Sequence, residues 1–150
     1  MKELVISADS SASVARLWQV VTDWDAHTRA FPLTRMTVLA GAPGVGQRLD
    51  AVTGVGPLRL HDPMTVTRWD APQEAGAPGV FAIRKTGRVL GGGATIEVTP
   101  TPRGSRLTWR TDAGPAAAWI RRLSGPVSRV FGRPVYRHAV TRLVAEADHG

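Results

Sequence analysis

Two cations stand where strand parity can turn them inward. If Phe81 and Ile83 face an interior, a period of two turns Lys85 the same way, and if Met64 and Val66 do, Arg68 follows. A buried cation is costly unless paired. Asp50, His61, Asp62 and Thr111 supply candidate partners, and in a cavity a ligand's carboxylate or enolate oxygen would do the same. The alternative places Lys85 and Arg68 at strand ends with their heads in water. Other chemistries lack their spacing. Asp23, Asp25 and His27 have the generic pattern of capping or solvated groups, so no metal or other cofactor is expected. His27, His61, His138 and His149 form no HxH or HExxH pair, and no serine sits in a GxSxG elbow. GAPGVG and GRVLGGG lie between strand-like segments with no GK[ST] after them, which makes them turns rather than phosphate cradles.

The chain has 150 residues, a formal charge of +7 and no cysteine. That length fits one domain over 1–150. The absence of cysteine excludes disulfides, thiolate metal sites and cysteine nucleophiles, and fits a reducing, cytoplasmic setting. MKELVISADS reads as a strand and polar turn rather than a secretory signal, and no apolar run is long enough to span a bilayer. The charge is mostly arginine, since only Lys2 and Lys85 are lysines. The arginines are scattered, apart from Arg121, Arg122, Arg129, Arg133 and Arg137. No nucleic-acid motif accompanies them, so no nucleic-acid partner is expected.

The elements that must position these residues follow from periodicity. Glu3 to Ser7 reads as a strand, and Asp9, Ser10 and Ser11 offer caps for a helix burying Val14, Leu17, Trp18 and Val21. A second short helix runs from about Trp24 to Phe31 and stops at Pro32. Strands are expected near 34–40, 47–53, 58–61, 64–69, 80–85, 94–99 and 106–111. Alternation in the last two gives an antiparallel sheet with one buried face. Ala116 to Ala147 reads as a long amphipathic helix, with Trp119, Ile120, Leu123, Val127, Val130 and Phe131 on one half and Tyr136, Val140, Leu143, Val144 and Ala147 on the other. Gly125-Pro126 and Gly132 to Pro134 should kink it.

This order of elements, with VVTDWDAHTRAFPLT (20–34), GVGQRLDAVTGVGPL (44–58), DPMTVTRW (62–69) and KTGRVLGGG (85–93), resembles actinobacterial members of the START-like superfamily of polyketide cyclases/dehydrases and lipid-transfer proteins, also called SRPBCC. The resemblance covers essentially the whole chain. It implies an α+β helix-grip fold, in which a curved antiparallel sheet of six to seven strands wraps the kinked C-terminal helix, with two short helices after the first strand. It also implies an apolar cavity between sheet and helix.

In that cavity a small hydrophobic or aromatic metabolite, polyketide- or lipid-like, would meet Trp24, Phe31, Leu33, Met36 and Val38. The strands would add Met64, Val66, Phe81, Ile83, Ile96, Val98 and Trp109, and the late helix Trp119, Leu123 and Val127. An alternative is a cyclase, dehydratase or aromatase-like enzyme using Arg68, Lys85, Tyr136 or His27. Arginine can stabilise an enolate but is a poor base, which leaves His27 or Tyr136 to move a proton. A third reading is a basic-surface interaction protein using Arg122, Arg129, Arg133 and Arg137. A monomer or homodimer fits any of these.

Overall fold

The computed structural model describes residues 3–87, 90–112, 114–115 and 133–150. Strand β1 (Leu4–Ser10) is followed by helices α1 (Val14–Val21) and α2 (Trp24–Ala30). Strands β2 (Thr34–Ala40), β3 (Arg48–Val55), β4 (Leu58–Asp70) and β5 (Gly79–Lys85) come next. After β6 (Leu90–Gly91), β7 (Gly93–Thr101), β8 (Gly104–Thr111) and β9 (Gly114–Pro115), the described chain closes with α3 (Arg133–His149). Seven strands form one antiparallel sheet in the order β1-β8-β7-β5-β4-β3-β2, and β6 pairs with β9 apart from it. This is a helix-grip α+β fold.

The inward face of the sheet is set by alternation. Leu107 and Trp109 on β8, Ile96 and Val98 on β7, Phe81 on β5 and Met64 and Val66 on β4 are all buried. Helix α1 covers them with Val14, Leu17, Trp18 and Val21, and α3 with Tyr136, Ala139, Val140, Leu143, Val144 and Ala147. Helix α3 packs against β1, α1 and α2. Pro134 sits in its first turn, where the missing N–H would find no intrahelical acceptor anyway. The expected kink at Gly125-Pro126, Gly132 and the first half of that helix lie outside the described residues.

Local interactions depart from the sequence expectation in three places. The α1 cap is Ser13, whose hydroxyl accepts the Arg16 N–H at 3.1 Å. Ser10 and Ser11 instead hold the far end of α3, because Asp148 Oδ1 accepts the Ser10 hydroxyl at 2.5 Å and the Ser11 N–H at 3.0 Å. The two strands expected at 58–61 and 64–69 are one strand running through Pro63. Asp50 makes this possible: its carboxylate accepts the Asp62 N–H at 2.9 Å, standing in for a ladder partner beside the proline. A bulge then inserts Thr67 between the pairs Val66–Ile83 and Arg68–Ala82. The extra residue reverses parity, so Trp69 turns toward the core and Arg68 outward.

The start of β8 passes so close to the β1–α1 corner that only glycine fits. A Cβ on Gly104 would lie 2.3 Å from the Ser10 carbonyl oxygen and 2.9 Å from that of Ala12. Gly104→Ala should therefore cost about 2–3 kcal/mol through forced backbone displacement, read as a lower urea midpoint with an unchanged denaturant slope.

Candidate functional site

Under α2 the sheet and helices leave a cavity of about 80 Å³. Its wall is drawn from nearly every element. β4 gives Asp62 and Met64, and β5 gives Phe81, Ile83 and Lys85. Ala94 and Ile96 come from β7, and Trp109 and Thr111 from β8. Ala51 and Thr53 on β3 and Thr34 and Met36 on β2 complete the sheet side. Trp24 and His27 on α2, Phe31 and Pro32 after it, and Val135 and Tyr136 on α3 form the roof. Phe31, Thr34, Met36, Thr53 and Val135 are half-buried and mark the open side.

Aromatic rings run unbroken through this roof. Trp24 meets Phe81 edge-on at 5.7 Å, and His27 lies 5.1 Å from Trp24 and 5.7 Å from Trp109. Phe31 meets Trp109 at 5.6 Å and Tyr136 at 5.8 Å. Such edge-to-face and tilted contacts fix ring orientation as well as burying area. The two cavity indoles differ in their polar edge. Trp24 Nε1 donates to Gln47 Oε1 at 3.0 Å, whereas Trp109 Nε1 is buried with no hydrogen-bond partner among the described residues.

His27 is buried, and its Nε2 lies 2.7 Å from the carbonyl of Val21, the last residue of α1. That contact satisfies a helix-terminal carbonyl and makes Nε2 the protonated nitrogen of the neutral ring. Burial holds the imidazole below its usual range, opposed by the Val21 contact. Nδ1 is thus an acceptor, and it has no hydrogen bond among the described residues.

The opposite wall carries charge. Met64 pairs with Lys85 in register, so Asp62, two residues away on the same face, lies diagonal to Lys85. Lys85 Nζ contacts Asp62 Oδ2, and the two side chains are 9% and 6% exposed. Behind them Asp50 is fully used, by His61 Nδ1 at 2.7 Å and by the Asp62 N–H. Desolvation raises the Asp62 pKa, and Lys85 opposes that by charge and hydrogen bonding.

An aromatic and aliphatic cavity with a neutral imidazole on one side and a carboxylate–ammonium pair on the other can hold an apolar molecule and address its polar groups. The sequence profile of the polyketide cyclase / dehydrase and lipid transport family matches residues 1–148. The chain belongs to this family. No curated protein sequence matches it significantly. Among solved structures it resembles TTHA0849 from Thermus thermophilus, with a TM-score of 0.73 and 13% identity over 97% of each chain. It also resembles the di-domain ARO/CYC StfQ from the steffimycin biosynthetic pathway, with a TM-score of 0.71 and 14% identity over 98% of this chain and 50% of that one. Ara h 8.0201 gives a TM-score of 0.63 at 9% identity over 99% of each chain. At these identities the likeness is one of fold.

Within this family fold, the residues singled out from sequence fall into distinct groups. Trp24, His27, Phe31, Met36, Met64, Phe81, Ile83, Lys85, Ile96, Trp109 and Tyr136 come together around the cavity. Val66 and Val98 are buried in the core but do not line it. Leu33 is 67% exposed, because a turn after Pro32 places it at φ 56° and swings it outward. Val38 is 47% exposed, since β2 is the outer strand and its burial ends at Met36. Arg68, turned out by the bulge, pairs with Asp70 at 2.5 Å. Lys85 is the reverse case, a strand-end cation whose head is withdrawn from water. Trp119, Leu123 and Val127 lie outside the described residues, as do Arg122 and Arg129, whereas Arg133 and Arg137 are exposed. Asp23 and Asp25 do not converge with His27: Asp23 caps α2 by accepting the Asp25 N–H at 3.0 Å. Sequence reasoning passed over Ala51, Thr53, Ala94 and Val135 as lining residues; parity with Leu49 and Ile96 was the available signal for the first three.

His27 gives a pH prediction. Its folded pKa lies below the unfolded value of 6.5, so the unfolded chain binds more protons in between, and stability falls as pH falls below 6.5. Asp62 acts oppositely, since a raised carboxyl pKa favours the folded state as pH falls toward 3.8. His27→Gln should therefore have a shallower acid loss than the parent between pH 6.5 and 3.8, measured by thermal melts across that range.

Proposed function

We propose that residues 1–150 act as one ligand-binding domain whose cavity takes up a small apolar or aromatic molecule. The observation that carries this reading is the ring-lined void under α2, formed by side chains from six sheet strands and two helices. A well-packed core leaves few voids larger than a water. About 80 Å³ exceeds the roughly 10–15 Å³ that one water needs, and is about half the ~150 Å³ void known to admit benzene. A ligand of one or more rings therefore displaces side chains on the open side. Met36 and Met64 are suited to this, being unbranched and polarizable. Family membership supports the same reading. No helix among the described residues is long and apolar enough to cross a membrane. A monomer or homodimer in the cytoplasm is the setting we infer.

Binding should be visible by calorimetry with naphthalene-type probes, and in the small molecules that co-purify with the native protein by mass spectrometry. Thr53→Trp, which narrows the open side at a half-buried position, should weaken binding at least about tenfold while leaving the fold intact by circular dichroism. Unchanged affinity in that variant, or no binding by the parent to any apolar probe, would refute the assignment.

A second reading, a cyclase or dehydratase-like enzyme, is favoured by one observation: His27 offers an unprotonated Nδ1 in a cavity that also holds the Lys85 ammonium. A base so placed removes a proton from a carbon between two carbonyls, and a nearby cation stabilises the enolate that forms. Tyr136, on the same cavity wall, is a further candidate for moving the proton. On a poly-β-ketone mimic, His27→Gln should lower kcat at least about a hundredfold. Arg68→Met should leave it unchanged, because Arg68 lies on the outer face. Binding without turnover by the parent would restrict the protein to carriage.

A further inference from the structure

Two residues of the cavity wall each hold a buried polar atom that lacks a hydrogen-bond partner among the described residues, and the two atoms are complementary. Asp62 Oδ2 is taken by Lys85 Nζ, but Asp62 Oδ1 is buried with no partner among the described residues. Trp109 Nε1–H is in the same condition. Each has a counterpart nearby whose capacity is used. Asp50 has both oxygens engaged, and Trp24 has its N–H held by Gln47. The incomplete pair therefore does not reflect a general shortage of partners in this core. A buried group without a partner costs free energy that a ligand supplying the missing atom recovers.

We propose that Asp62 is a specificity-determining residue of the cavity: it selects apolar ring compounds that carry a hydroxyl to donate to Asp62 Oδ1, with a carbonyl elsewhere on the molecule to accept from Trp109 Nε1. This inference rests on the cavity being the binding site. Lys85, in contact with Asp62 Oδ2, favours the accepting carboxylate against the desolvation that opposes it, so its role toward the ligand is exerted through Asp62. The placement of the two groups also limits the ligand. β4 and β8 are separated by β5 and β7, three strand spacings or about 14 Å across the strands, and the register aligns Trp109 with Ile96, Phe81 and Trp69 rather than with Asp62, so the two groups also lie apart along the strands. The hydroxyl and carbonyl accordingly belong to opposite ends of the ring system, and a hydroxyl already bonded internally to an adjacent carbonyl is a poor match.

The test uses the full chain and three probes: an acetylnaphthol with its substituents on opposite rings, its methyl ether, and the acetylnaphthalene lacking the hydroxyl. By calorimetry the acetylnaphthol should bind at least about tenfold more tightly than either of the others. In Asp62→Leu/Lys85→Met, which removes both charges so that neither is stranded, that preference should disappear while the acetylnaphthalene still binds. Trp109→Phe should keep the hydroxyl preference while weakening the binding of all three probes alike, since each carries the carbonyl. Equal affinity of the parent for all three probes overturns the role of Asp62 and leaves the binding function standing. Failure of every probe to bind overturns both. The parent comparison needs no variant, so the proposal stays testable if the double substitution does not fold; a hydroxyl preference that survives that substitution also overturns it.

Discussion

β1 and β2 follow one another in the sheet-forming sequence yet occupy its two opposite edges, so the segment that joins them has to cross the concave face. Much of the described site depends on this constraint. Helices α1 and α2 are that crossing. Their apolar sides, Leu17, Trp18 and Val21 and then Trp24, Ala26 and Ala30, are pressed onto the sheet because no other apolar surface lies under the crossing. The His27–Val21 contact joins the end of one helix to the next, and Phe31 and Pro32 turn the chain back into the outer strand. The cavity lies where the second, shorter helix spans the curved sheet without filling it.

The polar groups left in that space are governed by desolvation. Every buried donor or acceptor loses water, so a site that keeps them must either complete their bonding or leave capacity for something else. On β3 and β4 the bonding is completed from behind: Asp50 holds the Asp62 backbone and is itself held by His61. Toward the cavity Lys85 neutralises Asp62. The aromatic roof excludes water without adding charge, and its one imidazole is kept neutral by the same burial. The result is an apolar space with a small number of polar contacts in fixed positions, the composition expected of a small-molecule site.

Much of the fold was legible in the sequence because its signals are local. Period-two alternation located β7 and β8, 3.6-residue periodicity gave the buried stripes of α1 and the second half of the late helix, and Pro32 ended α2. Much of the cavity lining was legible by the same parity. The misplacements fall where a local rule stops applying. One inserted residue, Thr67, turned Arg68 out and Trp69 in. Leu33 was lost to a turn, and Val38 to the end of helix cover on an outer strand. The Ser10 and Ser11 hydroxyls were committed to Asp148, distant in sequence, so a local capping rule could not place them.

The sequence by itself determined the element types and their order, the buried face of most strands and the residue kinds available for chemistry, since these depend on neighbours a few positions away. Only the tertiary structure decided which of those residues share a space. Arg68 and Lys85 looked equivalent as strand-end cations. A bulge sent one to solvent, and a register that sets Lys85 diagonal to Asp62 drew the other out of water. Likewise Trp24 and Trp109 are both core tryptophans in sequence terms, but Gln47 accepts the N–H of the first, whereas that of the second finds no partner among the described residues. Pairing across strands is a long-range property, and on it rest both the desolvation of each charged group and the partner it finds.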